Sequence, residues 1–204
     1  MAKGFVCSLQ YNGQSVLAKI PGLLEYIGAF QIDEIYMYSV VEGDEGLLGI
    51  SDHPKRLREG GNFGMISTGR SAFQRKLTEF AQKMGVHINW GYQLQSFEQS
   101  DDSVQVLFTN GVKDTFSFII GCDGLHSNIR KQLFGSQPAR YTGVTQVCPV
   151  IDCALLRFAY GRLQLGGVSP KPESWGGKPM AAEAYGDGSH VVVTPISDKT
   201  VAWA

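Results

Sequence analysis

The sequence predicts an α/β chain, α+β overall, in which helices and strands mix up to about residue 139 and antiparallel strands follow over 140–204. Three observations predict it. Apolar side chains fall at helical spacing between residues 71 and 84. An apolar strand over 116–120 runs through a tight glycine turn into a second helix. Beyond Phe134-Gly135, short strand-like runs alternate with Gly/Pro-rich turns.

Composition narrows what such a chain does. With 204 residues, 43% of them hydrophobic and 18% charged, it can bury a core, and its length suits one domain or one and a part. Lys+Arg 18 against Asp+Glu 19 leaves a net charge of -1. The densest basic spots, Lys55-Arg56-x-Arg58 and Arg130-Lys131, fall short of a nucleic-acid footprint, so no such partner is expected. No window reaches the roughly 20 apolar residues of a membrane span. The start, Met1 to Leu9, does not read as a signal peptide, so a reducing, cytoplasmic setting is expected. Cys7, Cys122, Cys148 and Cys153 lack CxxC spacing; they are expected as small buried hydrophobes, with no metal site.

Taken in order, residues 1–22 specify little, because Gly13, Pro21 and Gly22 interrupt any period. From Leu23, residues Leu24, Ile27, Gly28, Ile32 and Ile35 have helical spacing, and the aromatic and β-branched run Tyr38 to Val41 suggests a strand before a turn at Gly43-Asp44-Glu45-Gly46. Ser51 to Gly64 reads as a surface loop. The helix that follows is the clearest element: Ser71 caps it with Gln74 three residues on, Phe73, Leu77, Phe80, Ala81 and Met84 form its apolar stripe, and Gly85 ends it. Val86 to Trp90 alternates as a short strand. Val104, Val106 and Phe108 lead to an Asn110-Gly111 hairpin turn, and the returning strand runs into Phe116-x-Phe118-Ile119-Ile120, an apolar run of the kind buried in a parallel sheet. Past the boundary near 137–143, the segments 144–150, 154–160, 181–185 and 191–194 read as strands of one antiparallel sheet.

The turn between Ile120 and the next helix carries the chemistry. Glycines at 121 and 124 let the backbone turn sharply and let a ribose or phosphate approach. The first turn of the helix beyond Ser127 would present unpaired N–H groups and a positive dipole end to an anion such as a pyrophosphate. Asp123 would accept hydrogen bonds from a ribose or from a backbone N–H, and Arg130 would reach a phosphate or brace the turn by pairing with Asp123. On spacing alone, a plain strand-to-helix connection with Asp123 as its cap is an equal reading.

Written out, Gly121-Cys122-Asp123-Gly124-Leu125-His126-Ser127-Asn128-Ile129-Arg130 spells G-x-D-G-x-x-S-x-x-R in full. It resembles the signature of the flavoprotein aromatic hydroxylases, the class A FAD-dependent monooxygenases of para-hydroxybenzoate and salicylate hydroxylase type. The resemblance implies that Gly121, Asp123, Gly124, Ser127 and Arg130 lie against FAD, with NAD(P)H as co-substrate. Gly69-Arg70-Ser71-x-Phe73-x-x-x-Leu77 is similar to the family's R-x-x-L/F-x-x-x-L helix start, which implies an FAD contact for Arg70. Gly85-Val86, Trp90-Gly91 and the hairpin follow the family's order. Tyr185-Gly186-x-Gly188-x-His190, Thr194-Pro195 and Trp203 resemble its substrate-domain strands.

The implied architecture is an incomplete three-layer, Rossmann-like FAD-binding domain over 23–139, after a poorly specified segment 1–22, and part of an antiparallel-sheet substrate domain over 140–204. The implied activity is NAD(P)H- and O2-dependent hydroxylation of an aromatic or related small organic substrate. Two family motifs are missing from the sequence: G-x-G-x-x-G, since Gly43-x-x-Gly46-x-x-Gly49 has the wrong spacing, and the late Gly-Asp helix start, since Gly186-Asp187 precedes the strand-like Val191 to Val193. The chain therefore reads as an internal piece of such an enzyme; the alternative is a non-catalytic remnant or binding module of the same fold. No acid or base is assigned. His53, His87, His126 and His190 are scattered, and Phe158, Tyr160 and Trp175 read as core rather than pocket.

Overall fold

The computed structural model describes residues 6–140 and 167–203. The described residues fall into two units, one formed by 6–85 with 167–203 and one by 86–140.

The larger unit opens with strand β1 (Val6–Leu9) and helix α1 (Tyr11–Leu17). Gln14 on α1 is 4% exposed and donates to the carbonyls of Leu9 (2.9 Å) and Gly64 (2.8 Å). A buried amide satisfied by two distant carbonyls orders this segment, a contact that no local pattern encodes. Helix α2 (Leu23–Ile27) is shorter than the spacing over 24–35 implies, because Gly28 adopts φ 55° and stops it. Beyond it the residues pair as β2 (Phe30–Ile32) and β3 (Glu34–Ser39). The expected turn follows, with Asp44 N–H on the Val41 carbonyl (2.9 Å) and Gly43 at φ 81°, and returns the chain as β4 (Gly46–Ser51), antiparallel to β3.

The loop expected over 51–64 contains a helix, α3 (His53–Glu59). Pro54 sits in its first turn, where a missing N–H costs nothing. Strand β5 (Met65–Gly69) pairs with β1 on one side and β2 on the other, both antiparallel, and runs directly into α4 (Arg70–Lys83). Ser71 is therefore inside the first turn and is not the cap; Gly69 holds the N-cap position with no side-chain cap bond. Gly85, at φ 85°, follows the helix end as expected. Tyr26 of α2 packs on Phe80 of α4 with ring centroids 5.4 Å apart, and Lys76 donates to the Ile27 carbonyl (2.5 Å).

The smaller unit is a three-stranded antiparallel sheet, β6 (Leu94–Gln99), β7 (Val104–Phe108) and β8 (Lys113–Phe116), with helix α5 (Asn128–Phe134). The Asn110-Gly111 turn forms as the sequence implies: Gly111 has φ 84° and the Asn110 side chain accepts from Val112 N–H (3.1 Å). Residues 86–90 are not a strand. Helix α5 covers the open edge of β6, where Gln132 accepts from Phe97 N–H (3.1 Å) and donates to the Gln95 carbonyl (3.2 Å), and Asn128 donates to the Leu94 carbonyl (3.0 Å).

Back in the larger unit, β9 (Gly167–Pro170), β10 (Met180–Gly186), β11 (Ser189–Pro195) and β12 (Thr200–Trp203) join β3 and β4 in a six-stranded sheet of order β4-β3-β10-β11-β12-β9. All pairings are antiparallel except β3 with β10, which runs parallel from Glu34↔Met180 to Ser39↔Tyr185. The sheet thus takes strands from both sides of residues 139 and 140. Asp187-Gly188 is the β10–β11 hairpin turn, with Gly188 at φ 64°, and Gly186-Asp187 starts no helix. The buried Ser67 hydroxyl on β5 donates to the Pro195 carbonyl, tying the two sheets of this unit together. Trp175 lies half-buried in a short 3-10 turn, Glu173–Trp175. The strand readings over 144–150 and 154–160, with Cys148, Cys153, Phe158 and Tyr160, fall outside the described residues. The α/β class holds as a mixed architecture of several sheets and few helices.

Candidate cofactor site

The Gly121–Arg130 segment lies in the smaller unit, after β8, and runs into the first turn of α5. The buried parallel strand expected before it does not form. β8 ends at Phe116, no strand among the described residues pairs with 117–120, and Phe118 and Ile120 are 70% and 76% exposed. Without a paired strand among the described residues, Phe118 and Ile120 stay open to solvent. Cys122, expected buried, is exposed in the same turn.

The turn itself is internally closed. Gly124 sits at φ 74°, a region that favours glycine, and its carbonyl accepts from Ser127 N–H (3.1 Å). A Cβ on Gly121 would meet Ile129 at 3.0 Å, so this glycine serves close packing of turn on helix. Asp123 Oδ2 accepts from the N–H of Asn128 (2.8 Å) and of Ile129 (3.4 Å), and Ser127 Oγ accepts from Arg130 N–H (2.9 Å). The Arg130 guanidinium donates to the Leu125 carbonyl. Of the readings the spacing left open, the structure places Asp123 as a cap, and Arg130 braces the turn through a carbonyl and not through Asp123. The first-turn N–H groups expected to meet a phosphate are taken by protein oxygens, one of them a carboxylate that would repel an anion.

The Ser127 hydroxyl, followed by the N–H groups of Ile129 and Asn128, holds the Asp123 carboxyl below its usual 3.8. A carboxylate depressed on folding favours the folded turn above the ordinary value and loses that contribution as pH falls through the folded one. The amides of Asn128 and Ile129 are therefore expected to keep their exchange protection at neutral pH and to lose it progressively below about pH 4. Asp123→Asn is expected to flatten that profile, which amide exchange read by NMR across an acid titration checks.

Arg70 belongs to the larger unit, exposed at the β5–α4 junction. Its charge acts on Cys7, the β1 residue paired with Thr68: burial raises the Cys7 thiol, and Arg70 opposes that rise. Cys7 is half-buried. The start of α4 combines an exposed guanidinium with a glycine N-cap, the better match of the two helix starts to an anion. The sequence reading missed Asn128 and Gln132, polar helix residues whose docking of α5 on β6 has no periodic signal. The four histidines are not brought together, and among the described residues no group of three or more His, Cys, Asp or Glu is placed to hold a metal ion. No helix of the described residues is long and apolar enough to cross a membrane.

A family model described as "FAD binding domain" matches residues 37–154, a span that includes Arg70 and the whole of Gly121–Arg130. The chain belongs to the FAD-binding domain family. Membership agrees with the class A flavoprotein monooxygenase resemblance of the turn. Zeaxanthin epoxidase of Arabidopsis thaliana is 38% identical over 56 residues, 28% of this chain and 8% of that protein. Among solved structures, Klebsiella pneumoniae HpxO complexed with FAD and uric acid aligns with 98% of this chain at a TM-score of 0.73 and 18% identity. The 2,6-dihydroxypyridine-3-hydroxylase of Arthrobacter nicotinovorans aligns with all of it at 0.63 and 16%. At these identities the likeness is one of fold. The chain spans about half the length of these solved structures, 46% of each, and a far smaller share of the curated relative.

Proposed function

We propose that this chain forms part of an FAD-dependent monooxygenase that uses NAD(P)H and O2 to hydroxylate an aromatic or related small organic substrate in the cytoplasm, with cofactor contacts over 23–139 and substrate contacts over 140–204. The observation that carries the reading is the family match over 37–154, which holds both candidate cofactor elements. The redox chemistry, electrons passed from NAD(P)H to O2, is what a bound flavin supplies.

The residues present fit different parts of that cofactor. Arg70, exposed beside an N-terminus that lacks a side-chain cap, suits a phosphate. Asp123, an exposed acceptor, suits a ribose hydroxyl, and the space around Gly124, where no atom of the described residues beyond its chain neighbours lies within 4 Å of a built Cβ, lets such a group approach the backbone. Ser127 and Arg130 hold the turn in that shape. A ring substrate is supported by β10 of the 140–204 segment, whose Ala182 and Ala184 stand in register with Tyr36 and Tyr38 of β3, two rings stacked with centroids 6.5 Å apart. It is supported also by the ring compounds that HpxO was crystallised with and that the Arthrobacter hydroxylase is named for.

One observation favours the second reading, a non-catalytic module of the same fold: the signature turn satisfies its own hydrogen bonds. Titrating FAD against the purified chain and following flavin fluorescence separates the two. Saturable quenching, weakened in Asp123→Ala, is expected on the enzyme reading; a linear response with no saturation favours the module.

A further inference from the structure

A cavity of 520 Å³ is lined by residues of the larger unit, and none of those residues is given a part in the proposed reaction. Its apolar lining comes from Ile35, Pro54, Leu57 and Met65, and its polar rim includes Ser51 and Asn62. Among the described residues no Lys, Arg, Asp or Glu lines it, and His53 and Tyr11 are the titratable ones that do. The volume falls within the range of small-molecule sites, roughly 300–1,000 Å³.

The walls are braced. Helix α3, which supplies Pro54 and Leu57, is pinned by Arg58, whose guanidinium donates to both oxygens of Asp33 (2.7 and 2.8 Å), and by Lys55 N–H on the Asp33 carbonyl (3.2 Å). Asn62 N–H bonds the Leu57 carbonyl (2.9 Å), which sets the rim. Gln14 ties Leu9 to Gly64 on the opposite side, and a Cβ at Gly64 would lie 2.7 Å from the Pro54 carbonyl, so the walls meet there at packing distance. A preformed cavity loses little ordering entropy when a ligand enters.

We propose that this cavity binds a neutral small molecule, an apolar ring carrying an amide or hydroxyl, independently of any flavin. The ring takes the Ile35, Leu57 and Met65 surface, and the polar group meets Ser51 and Asn62 at the rim. An ionised ligand would surrender hydration with no counter-charge in the lining, which sets neutral over charged. This excludes the phosphates of FAD and of NAD(P)H from the cavity.

Benzamide and its charged counterpart benzoate are suitable probes, titrated without FAD into the 15N-labelled full chain. Benzamide is expected to give saturable amide shifts at Ile35, Ser51, Asn62 and Met65, with a Kd on the order of 1 mM, and benzoate to bind at least about tenfold more weakly. Leu57→Trp, which fills the space, is expected to abolish the shifts; Asn62→Ala, milder for folding, is expected to weaken binding severalfold with the remaining spectrum unchanged. Non-saturating shifts, equal binding of benzoate, or benzamide shifts that survive in a folded Leu57→Trp chain would overturn the proposal. Each result is read without flavin, so it is separate from success or failure of FAD binding.

Discussion

Ile32→Ala is expected to lower the urea midpoint of the larger unit by roughly 1–2 M, from a loss of about 2–5 kcal/mol and a urea dependence of about 1–3 kcal/mol/M. Ile32 is fully buried on β2, where it pairs with Met65 of β5, the strand that leads into Arg70. Removing three carbons there leaves a cavity between the small sheet and its surroundings that close packing cannot refill. Against a typical total of about 5–15 kcal/mol the loss is a large fraction. Leu47→Ala, at an exposed position of β4, is expected to move the midpoint hardly at all. Equal shifts for the two would remove the core from this sheet.

Arg70→Glu is expected to weaken FAD binding by about 100-fold, or about 2.7 kcal/mol. Loss of a charge-assisted phosphate contact, about 1.5–3 kcal/mol, is joined by repulsion from the new carboxylate. Arg70→Lys keeps the charge and loses the planar fork, so an intermediate loss of about tenfold is expected. Because Arg70 is exposed at the helix start, both variants should unfold at the wild-type temperature. Isothermal titration with FAD, paired with thermal unfolding, checks this. An affinity unchanged in Arg70→Glu would move the phosphate contact elsewhere.

Local chemistry in this chain was legible and distant chemistry was not. Asn110-Gly111 announces its hairpin because the turn needs a positive φ that glycine supplies. The stripe from Phe73 to Met84 announces α4, but Ser71 misled as a cap because β5 enters the helix without a loop. Helical spacing through Ile32 and Ile35 was overridden by Gly28, whose left-handed backbone frees those residues to pair as strands. The parallel pairing of β3 with β10 joins segments far apart in sequence, and no period signals it. At the site, the residues of the Gly121–Arg130 turn were legible as a set, whereas the carboxylate's commitment to Asn128 and Ile129 depends on geometry that spacing left open. The cavity beside α3 is assembled from several separate segments, so nothing in any one of them marks it.

The proposed function requires that this chain hold flavin. The check is to mix it with excess FAD, desalt, and record the visible spectrum of the protein fraction. Oxidised-flavin absorption that travels with the protein and is lost in Arg70→Glu is the expected result; a colourless protein fraction from a folded chain would overturn the assignment.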